Sequence, residues 1–279
     1  MSEKLSKLSP NQYPLISVIT PSFNQAEFLE RTILSVFNQD YPNLEYMVID
    51  GGSTDGSVEI IKKYESRLAY WVSESDRGQT EAINKGLRRA TGEWVAWQNS
   101  DDVYYPGVFF DLARAAVNHP EADLIIGNMM LIDSLDHKLR YMQYVTPSYG
   151  ALLAEGMVLT NQAAFWRRRV HEEIGWLNES LHYDFDYEWF LRLTETHRGF
   201  HVNKMWGGLR LHEKTKTHNT TDGFQKERVQ ILNGRTFPQW KIRLFQLRRL
   251  FLMLLQGEFG YIFRGLLRRA SRKERYIHY

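Results

Sequence analysis

The chain has no cysteine among its 279 residues, which excludes disulfides, thiolate metal sites and a cysteine nucleophile. That fits a reducing compartment. No apolar run approaches the roughly 18 residues of a membrane-spanning helix. The longest candidate, Leu250 to Leu255, is short and follows Arg248 and Arg249. Met1 to Pro10 are polar and lack the apolar stretch of a secretion signal. A cytoplasmic protein that does not cross the membrane is therefore expected. Net charge is also small, at +2. It is uneven, however: Lys241 to Tyr279 carry 10 basic and 2 acidic residues, leaving −6 on the remainder. Such asymmetry suggests a basic tail that meets an anionic surface.

What is present is ordinary for a globular protein, with 43% hydrophobic and 24% charged residues. The length suits one large α/β domain with appendages. Ile16 to Thr20 reads as a β-branched strand stopped by Pro21-Ser22-Phe23-Asn24, and Phe28, Ile33, Leu34 and Phe37 then recur at helical spacing. Leu44 to Ile49 is a second strand, ended by Asp50-Gly51-Gly52-Ser53-Thr54-Asp55-Gly56, with Ser57 expected to cap the next helix. Leu68 to Val72 reads as a strand, Gln79 to Arg89 as a helix and Trp94 to Trp97 as a strand. Pro106 is expected to open a helix to about His119, ahead of a strand from Asp123 to Met130. Alternating strands and helices predict a mostly parallel, helix-covered sheet.

Ligands of such sheets bind beyond the carboxyl ends of the strands. Four polar clusters fall there: Ser22/Asn24, Asp50/Asp55, Asp76/Arg77 and Asp101/Asp102. Asn99-Ser100-Asp101-Asp102 offers carboxylates suited to Mg²⁺ or Mn²⁺, although Asp and Ser also cap helices. Asp50 to Gly56 is neither a Walker A loop nor a Gly-x-Gly-x-x-Gly fingerprint. Its glycines let backbone approach a ligand, and Asp50 can accept from a base or ribose. Asp184-Phe185-Asp186-Tyr187-Glu188 precedes an apolar helical run. Asp186 there can serve as a general base at a helix N-terminus, or simply as a cap. His212, with Lys214, Lys216 and His218, can face phosphates or complete a metal shell, or be structural.

Taken in order, these segments resemble the family 2 glycosyltransferases of the GT-A fold, of bacterial polysaccharide and lipopolysaccharide type. The resemblance runs from about Leu15 to Thr217. It rests on Ser17 to Asn24, Val48 to Ser57, Ser73 to Gln79, Ala82 to Gly86 and Trp97 to Asp102. It implies a GT-A domain over 15–218, with a nucleotide-sugar half (15–103) and an acceptor half (104–218). A polar segment (1–14) precedes it and a helical basic extension (219–279) follows. It further implies that Pro21, Ser22, Asn24 and Asp50 hold the base and ribose, that Asp76, Arg77 and Gly78 form the next wall, and that Asn99 and Ser100 touch the donor. Asp101 inherits the metal-ligand role, with Asp102 its competitor and His212 turned towards the metal. Asp186 falls at the catalytic base. Asn99 departs from the family's Asp-x-Asp element and brings no charge. The implied reaction is inverting transfer from a nucleotide-diphosphate sugar, UDP by family habit, to a glycan or lipid-linked acceptor, with Mn²⁺ or Mg²⁺.

Two rivals remain at this point. A sugar-nucleotide pyrophosphorylase would carry a Gly- and Arg-rich loop where Pro21-Ser22-Phe23-Asn24 stands. A catalytically degenerate sugar-nucleotide-binding protein is left open by Asn99 and opposed by Asp101 and Asp186. In the tail, Phe259, Ile262, Phe263, Leu266, Leu267 and Ala270 lie on one helical face, and Arg264, Arg268, Arg269 and Arg272 occupy much of the rest. Ile242 to Leu255 is similar, with Lys241, Arg243, Arg248 and Arg249. Basic amphipathic helices predict peripheral attachment to the inner face of the cytoplasmic membrane. No nucleic-acid recognition motif accompanies the charge.

Overall fold

The computed structural model describes residues 13–213, 215 and 221–270. Lys214, Lys216, His218 and Arg272 lie outside the described residues, as do the side chains of Leu266, Arg268, Arg269 and Ala270.

The first half forms β1 (Ile16–Ser22), α1 (Ala26–Phe37), β2 (Leu44–Asp50), α2 (Ser57–Tyr64), β3 (Tyr70–Ser73), α3 (Gln79–Arg89) and β4 (Trp94–Trp97). Their sheet order is β3-β2-β1-β4, all parallel. Every residue of β1 is buried, as expected of a parallel strand covered on both faces. Successive side chains alternate between the faces. Val18 and Val48 join one hydrophobic cluster with Phe37, Trp94 and Trp206. Ile19 and Ile49 join the other, with Trp97, Trp166 and Phe190.

The second half adds β5 (Val103–Tyr104), α4 (Val108–Asn118), β6 (Leu124–Ile132), β7 (Lys138–Met142), α5 (Tyr149–Glu155), β8 (Ala164–Arg167), α6 (Val170–Ile174), α7 (Phe185–Thr196) and β9 (Gly199–Arg210). The nine-stranded sheet continues β4-β8-β6-β9-β5, with β7 on β6. Here it is mixed: β8 runs antiparallel to both β4 and β6, while β6 and β9 are parallel. Gly127 on β6 is required by packing, since a Cβ there would lie 2.3 Å from the Trp206 ring. Helices α8 (Thr221–Leu232), α9 (Gln239–Leu255) and α10 (Phe259–Ala270) follow. Among the described residues, no helix is long and apolar enough to cross a membrane.

Two local expectations are corrected. Ser57 does not cap α2: Gly56, in the left-handed region at φ 100, holds that position. The Ser57 hydroxyl instead donates to Asp55 and accepts from the Gln25 amide. Nor does Pro106 open α4, which begins at Val108 behind a left-handed Gly107.

Candidate active site

A cleft of about 1610 Å³ opens at the carboxyl ends of β1, β2 and β4, and its wall runs on through α7 and α8. Pro21, Ser22, Gly51, Asp76, Gly78, Asn99, Ser100, Asp101 and Asp102 line one part, with Asp186, His212 and Arg228 completing the rim. Strand ends far apart in sequence thus bring most of the expected residues to one cavity.

Asn24 and Asp50 are exceptions, because their side chains are used in stitching the loops. Asp50 is fully buried. It accepts from the Gly52 amide (3.1 Å), the Ser53 amide (2.9 Å), the Ser53 hydroxyl (2.5 Å) and the Ser73 hydroxyl (2.7 Å). Asn24 accepts from the Thr54 amide at 2.9 Å, and its own amide donates to Ser53 at 2.8 Å. Neither side chain is among those lining the cleft. Gly51 faces the cavity instead, and any Cβ at that position would lie 2.7 Å from Asp76 Oδ2. Asp76 accepts from the Gly78 amide at 2.9 Å, and burial raises its pKa. The buried Ser22 hydroxyl has no hydrogen-bond partner among the described residues. Arg77 lines the cleft too; its side chain is 77% exposed and pairs with Glu81 (2.9 Å) and Glu179 (2.8 Å).

At the turn after β4, Asp101 and Asp102 part company. Asp101 Oδ2 lies 3.1 Å from His212 Nε2, and the His212 ring packs on Phe28 at 4.6 Å. Asp102 turns inward. Its carboxylate accepts from the Arg210 amide (2.8 Å), Gln162 Nε2 (2.7 Å) and Asn99 Nδ2 (2.9 Å). Burial, with the neighbouring Asp101 charge, raises its pKa. Asp102 is therefore engaged by three donors inside the protein, while the other two expected metal ligands, Asp101 and His212, face each other. The same bond accounts for Asn99, since an aspartate there would set a second carboxylate against Asp102. Asn99 Oδ1 accepts from Gln79 at 2.9 Å. Ser100 contributes its carbonyl to Thr32 at 2.9 Å.

Beyond that pair, no group of three or more His, Asp or Glu able to hold a metal occurs among the described residues. The Asp101 carboxylate suits a hard divalent ion, with the His212 imidazole nitrogen beside it. Mg²⁺ in particular keeps several waters and uses one or two carboxylates with substrate phosphates.

Asp186 sits in the first turn of α7. Its pKa is pushed up to about 7, first by burial and then by the adjacent Asp184 charge, against the Tyr187 amide and Arg228. Asp184 occupies the N-cap position without capping; its carboxylate is gripped by Arg228 through Nε and, at 2.8 Å, through Nη2. Arg228, Gln162 and Asn161 were not anticipated from sequence. Gln162 Oε1 and Asn161 Nδ2 are buried, unpartnered among the described residues, and belong to cleft-lining side chains. An arginine inside the apolar run Leu209-Arg210-Leu211 was the available signal for the fully buried Arg210, which donates to the Asp101 carbonyl at 2.7 Å.

A mixed α/β sheet with a cleft over its strand ends is the architecture of the GT-A-type fold, which solved structures share. Residues 17–187 match the profile described as Glycosyl transferase family 2, and the chain belongs to this family. The putative teichuronic acid biosynthesis glycosyltransferase TuaG of Bacillus subtilis is 42% identical over 95 residues, covering 33% of this chain and 38% of TuaG. An uncharacterized glycosyltransferase of Mycobacterium tuberculosis, Rv1514c, is 34% identical over 182 residues, 64% of this chain and 68% of its own length. Among solved structures, Staphylococcus aureus TarS 1-349 in complex with UDP-GlcNAc superposes with a TM-score of 0.64 at 19% identity, covering 81% of this chain and 69% of TarS. Mannosyltransferase PcManGT of Pyrobaculum calidifontis, with GDP-Man and Mn²⁺, gives 0.55 at 20% identity, covering 80% and 63%. These structural likenesses establish the fold.

Proposed function

We propose that the chain transfers a sugar from a nucleotide-diphosphate sugar to an acceptor hydroxyl by inverting displacement. The observation that carries this is one cleft joining the Asp101–His212 pair to Asp186, a carboxylate held near neutral pKa, whereas Asp102, also raised, is taken up by Arg210, Gln162 and Asn99. Asp186 accepts the proton of the acceptor hydroxyl; a pKa near the working pH suits a general base. One base acting on an incoming hydroxyl, with no second carboxylate assigned as nucleophile, fits direct displacement. Ser22, Gly51 and Asp76 form the wall for nucleoside and ribose, with Asn24 and Asp50 holding its loops in shape. Asp101 and His212 would hold Mn²⁺ or Mg²⁺, which supplies positive charge for the departing diphosphate. UDP is the favoured nucleotide, because a TarS structure with UDP-GlcNAc shares the fold.

A thermal-shift panel of nucleoside diphosphates and sugar nucleotides, with and without Mn²⁺, tests the donor site. A ligand present at about 100 times its Kd adds roughly 2.7 kcal/mol of stability. One nucleotide is expected to raise Tm in a Mn²⁺-dependent way, and D101N and H212A should each abolish the Mn²⁺ contribution. Undiminished Mn²⁺ dependence in both variants contradicts the ligand assignment.

The acceptor is a glycan or lipid-linked sugar reached at a membrane surface. Support comes from α9, whose exposed side bears Trp240, Leu244, Leu247 and Phe251 at helical spacing. Phe259 and Phe263 of α10 are exposed as well. Helix α9 contains no acidic residue and carries Lys241, Arg243, Arg248 and Arg249. Its opposite side is committed to the protein through Met253, Phe245 against Gly150 and the Arg249–Glu155 pair at 2.9 Å. Apolar residues flanked by cations alone fit the inner, anionic membrane face. Phosphatidylglycerol vesicles should pellet the protein at low salt and phosphatidylcholine vesicles should not. Replacing Leu244, Leu247 and Phe251 by glutamine should release it, and unchanged sedimentation of that variant would refute membrane attachment through α9.

A further inference from the structure

Helix α8 lies beyond residues 17–187, the stretch matched by the family profile, yet it is fastened to the segment that carries Asp186. Glu227 accepts from three consecutive amides, those of His182 (2.8 Å), Tyr183 (2.9 Å) and Asp184 (2.8 Å). Arg228 grips Asp184 and lies over the Tyr187 ring, 3.5 Å from its centroid. Gly223 lets the helix lie flush, since a Cβ there would come 2.6 Å from the Tyr183 ring. This clamp sets Phe224 beside Tyr183, with ring centroids 5.4 Å apart and planes at 57°. Both rings line the cleft and are only partly buried. Phe224 and Arg228 are four residues apart, on one face of α8.

A base takes a proton only from a hydroxyl within hydrogen-bond reach. The sugar carrying that hydroxyl therefore sits against whatever wall adjoins Asp186, and Tyr183 precedes Asp186 by three residues. A pyranose ring has one face of C–H groups, which is apolar, and a rim of hydroxyls. Aromatic rings offer a complementary flat surface.

We infer that Tyr183 and Phe224 form an acceptor subsite that stacks a pyranose ring of the acceptor glycan, with Glu227 and Arg228 acting as positioning residues. This rests on the proposed transfer reaction with Asp186 as base. It assigns α8 to substrate recognition and separates it from the membrane-facing helices that follow.

Saturation-transfer NMR with methyl pyranosides of glucose, galactose, mannose, N-acetylglucosamine and N-acetylgalactosamine tests it on the full chain. Irradiating aromatic protons should transfer magnetisation to at least one pyranoside. F224L keeps apolar packing but removes the π face, and is expected to weaken that binding roughly three- to tenfold; F224Y should retain it. No transfer to any pyranoside, or equal binding by F224L, overturns the subsite. The nucleotide thermal shift keeps the two ideas distinguishable. A wild-type shift that persists in F224L while pyranoside binding is unaltered sinks the subsite alone. Absence of any nucleotide shift in the wild type sinks the transfer reading instead.

Discussion

Replacing Asp186 by asparagine is expected to lower the turnover rate by roughly 10²- to 10⁴-fold, while nucleotide binding survives. Asparagine keeps the shape and can still accept from the Tyr187 amide, as Asp186 does at 2.8 Å. What it loses is the capacity to take a proton. In the wild type, the carboxyl is pushed up to about 7 by burial and by Asp184, so the rate should rise with pH through that region as the base ionises. The same shift has a stability consequence of opposite sign. The folded pKa lies above the ordinary carboxyl value of 3.8, so the native state favours the protonated form. Its stabilising contribution is complete below about 4 and declines as pH climbs towards 7. D186N is therefore expected to melt higher than the wild type at pH 8, with the difference shrinking at pH 5. An inactive but more stable variant would fit an active-site charge held at a cost. Wild-type turnover in D186N would remove the base assignment.

Arg228→Met is the variant expected to damage the fold most, by roughly 3–5 kcal/mol. The Asp184 side chain is 4% exposed and Arg228 is its ion-pair partner, so methionine leaves a buried charge uncompensated. Arg228 also counts among the influences lowering the Asp186 pKa. Its loss should move the rise in rate to higher pH as well as lowering the urea midpoint. Arg228→Lys restores charge but not the two-pronged grip of the guanidinium, and should recover the pH profile more fully than the stability. An urea midpoint within experimental error of wild type for the methionine variant would show that Asp184 does not need this partner.

The elements best read from sequence were those whose signals are local. Helix α3 spans Gln79–Arg89 and β4 spans Trp94–Trp97, as periodicity and flanking turns indicate. Strand β9 was not legible. It carries Asn203 and Lys204 between apolar residues, and its pairing with β6 joins segments such as Ile126 and His201. That pairing, with β5 on the other edge of β9 (Val103 opposite Gly208), brings Arg210 and His212 to the Asp101 turn, across 109 and 111 residues.

The site was legible as a list of polar strand ends, not as a division of labour. Asp50 and Asp76 look alike in sequence. One is consumed by its own turn, where Gly52 and Ser53 supply donors, and the other is left facing the cleft by Gly51. Asp101 and Asp102 are adjacent, yet Gln162 and the Arg210 amide capture the second and release the first. The clamp from α8 left no trace that periodicity could reveal, because Glu227 and Arg228 read as an ordinary charged helix surface. Their function appears only once His182 to Asp184 are seen to present three amides to one carboxylate.

Turnover of a nucleotide-sugar donor in this cleft is directly measurable. The most direct measurement is release of nucleoside diphosphate from a panel of UDP-, GDP- and dTDP-sugars with Mn²⁺ and a mixture of lipid-linked and simple glycan acceptors, comparing the wild type with D186N. The wild type is expected to show acceptor-stimulated release from one donor, and D186N little or none. Failure of the wild type to release diphosphate from any donor, or equal release by both proteins, would contradict the proposed transfer.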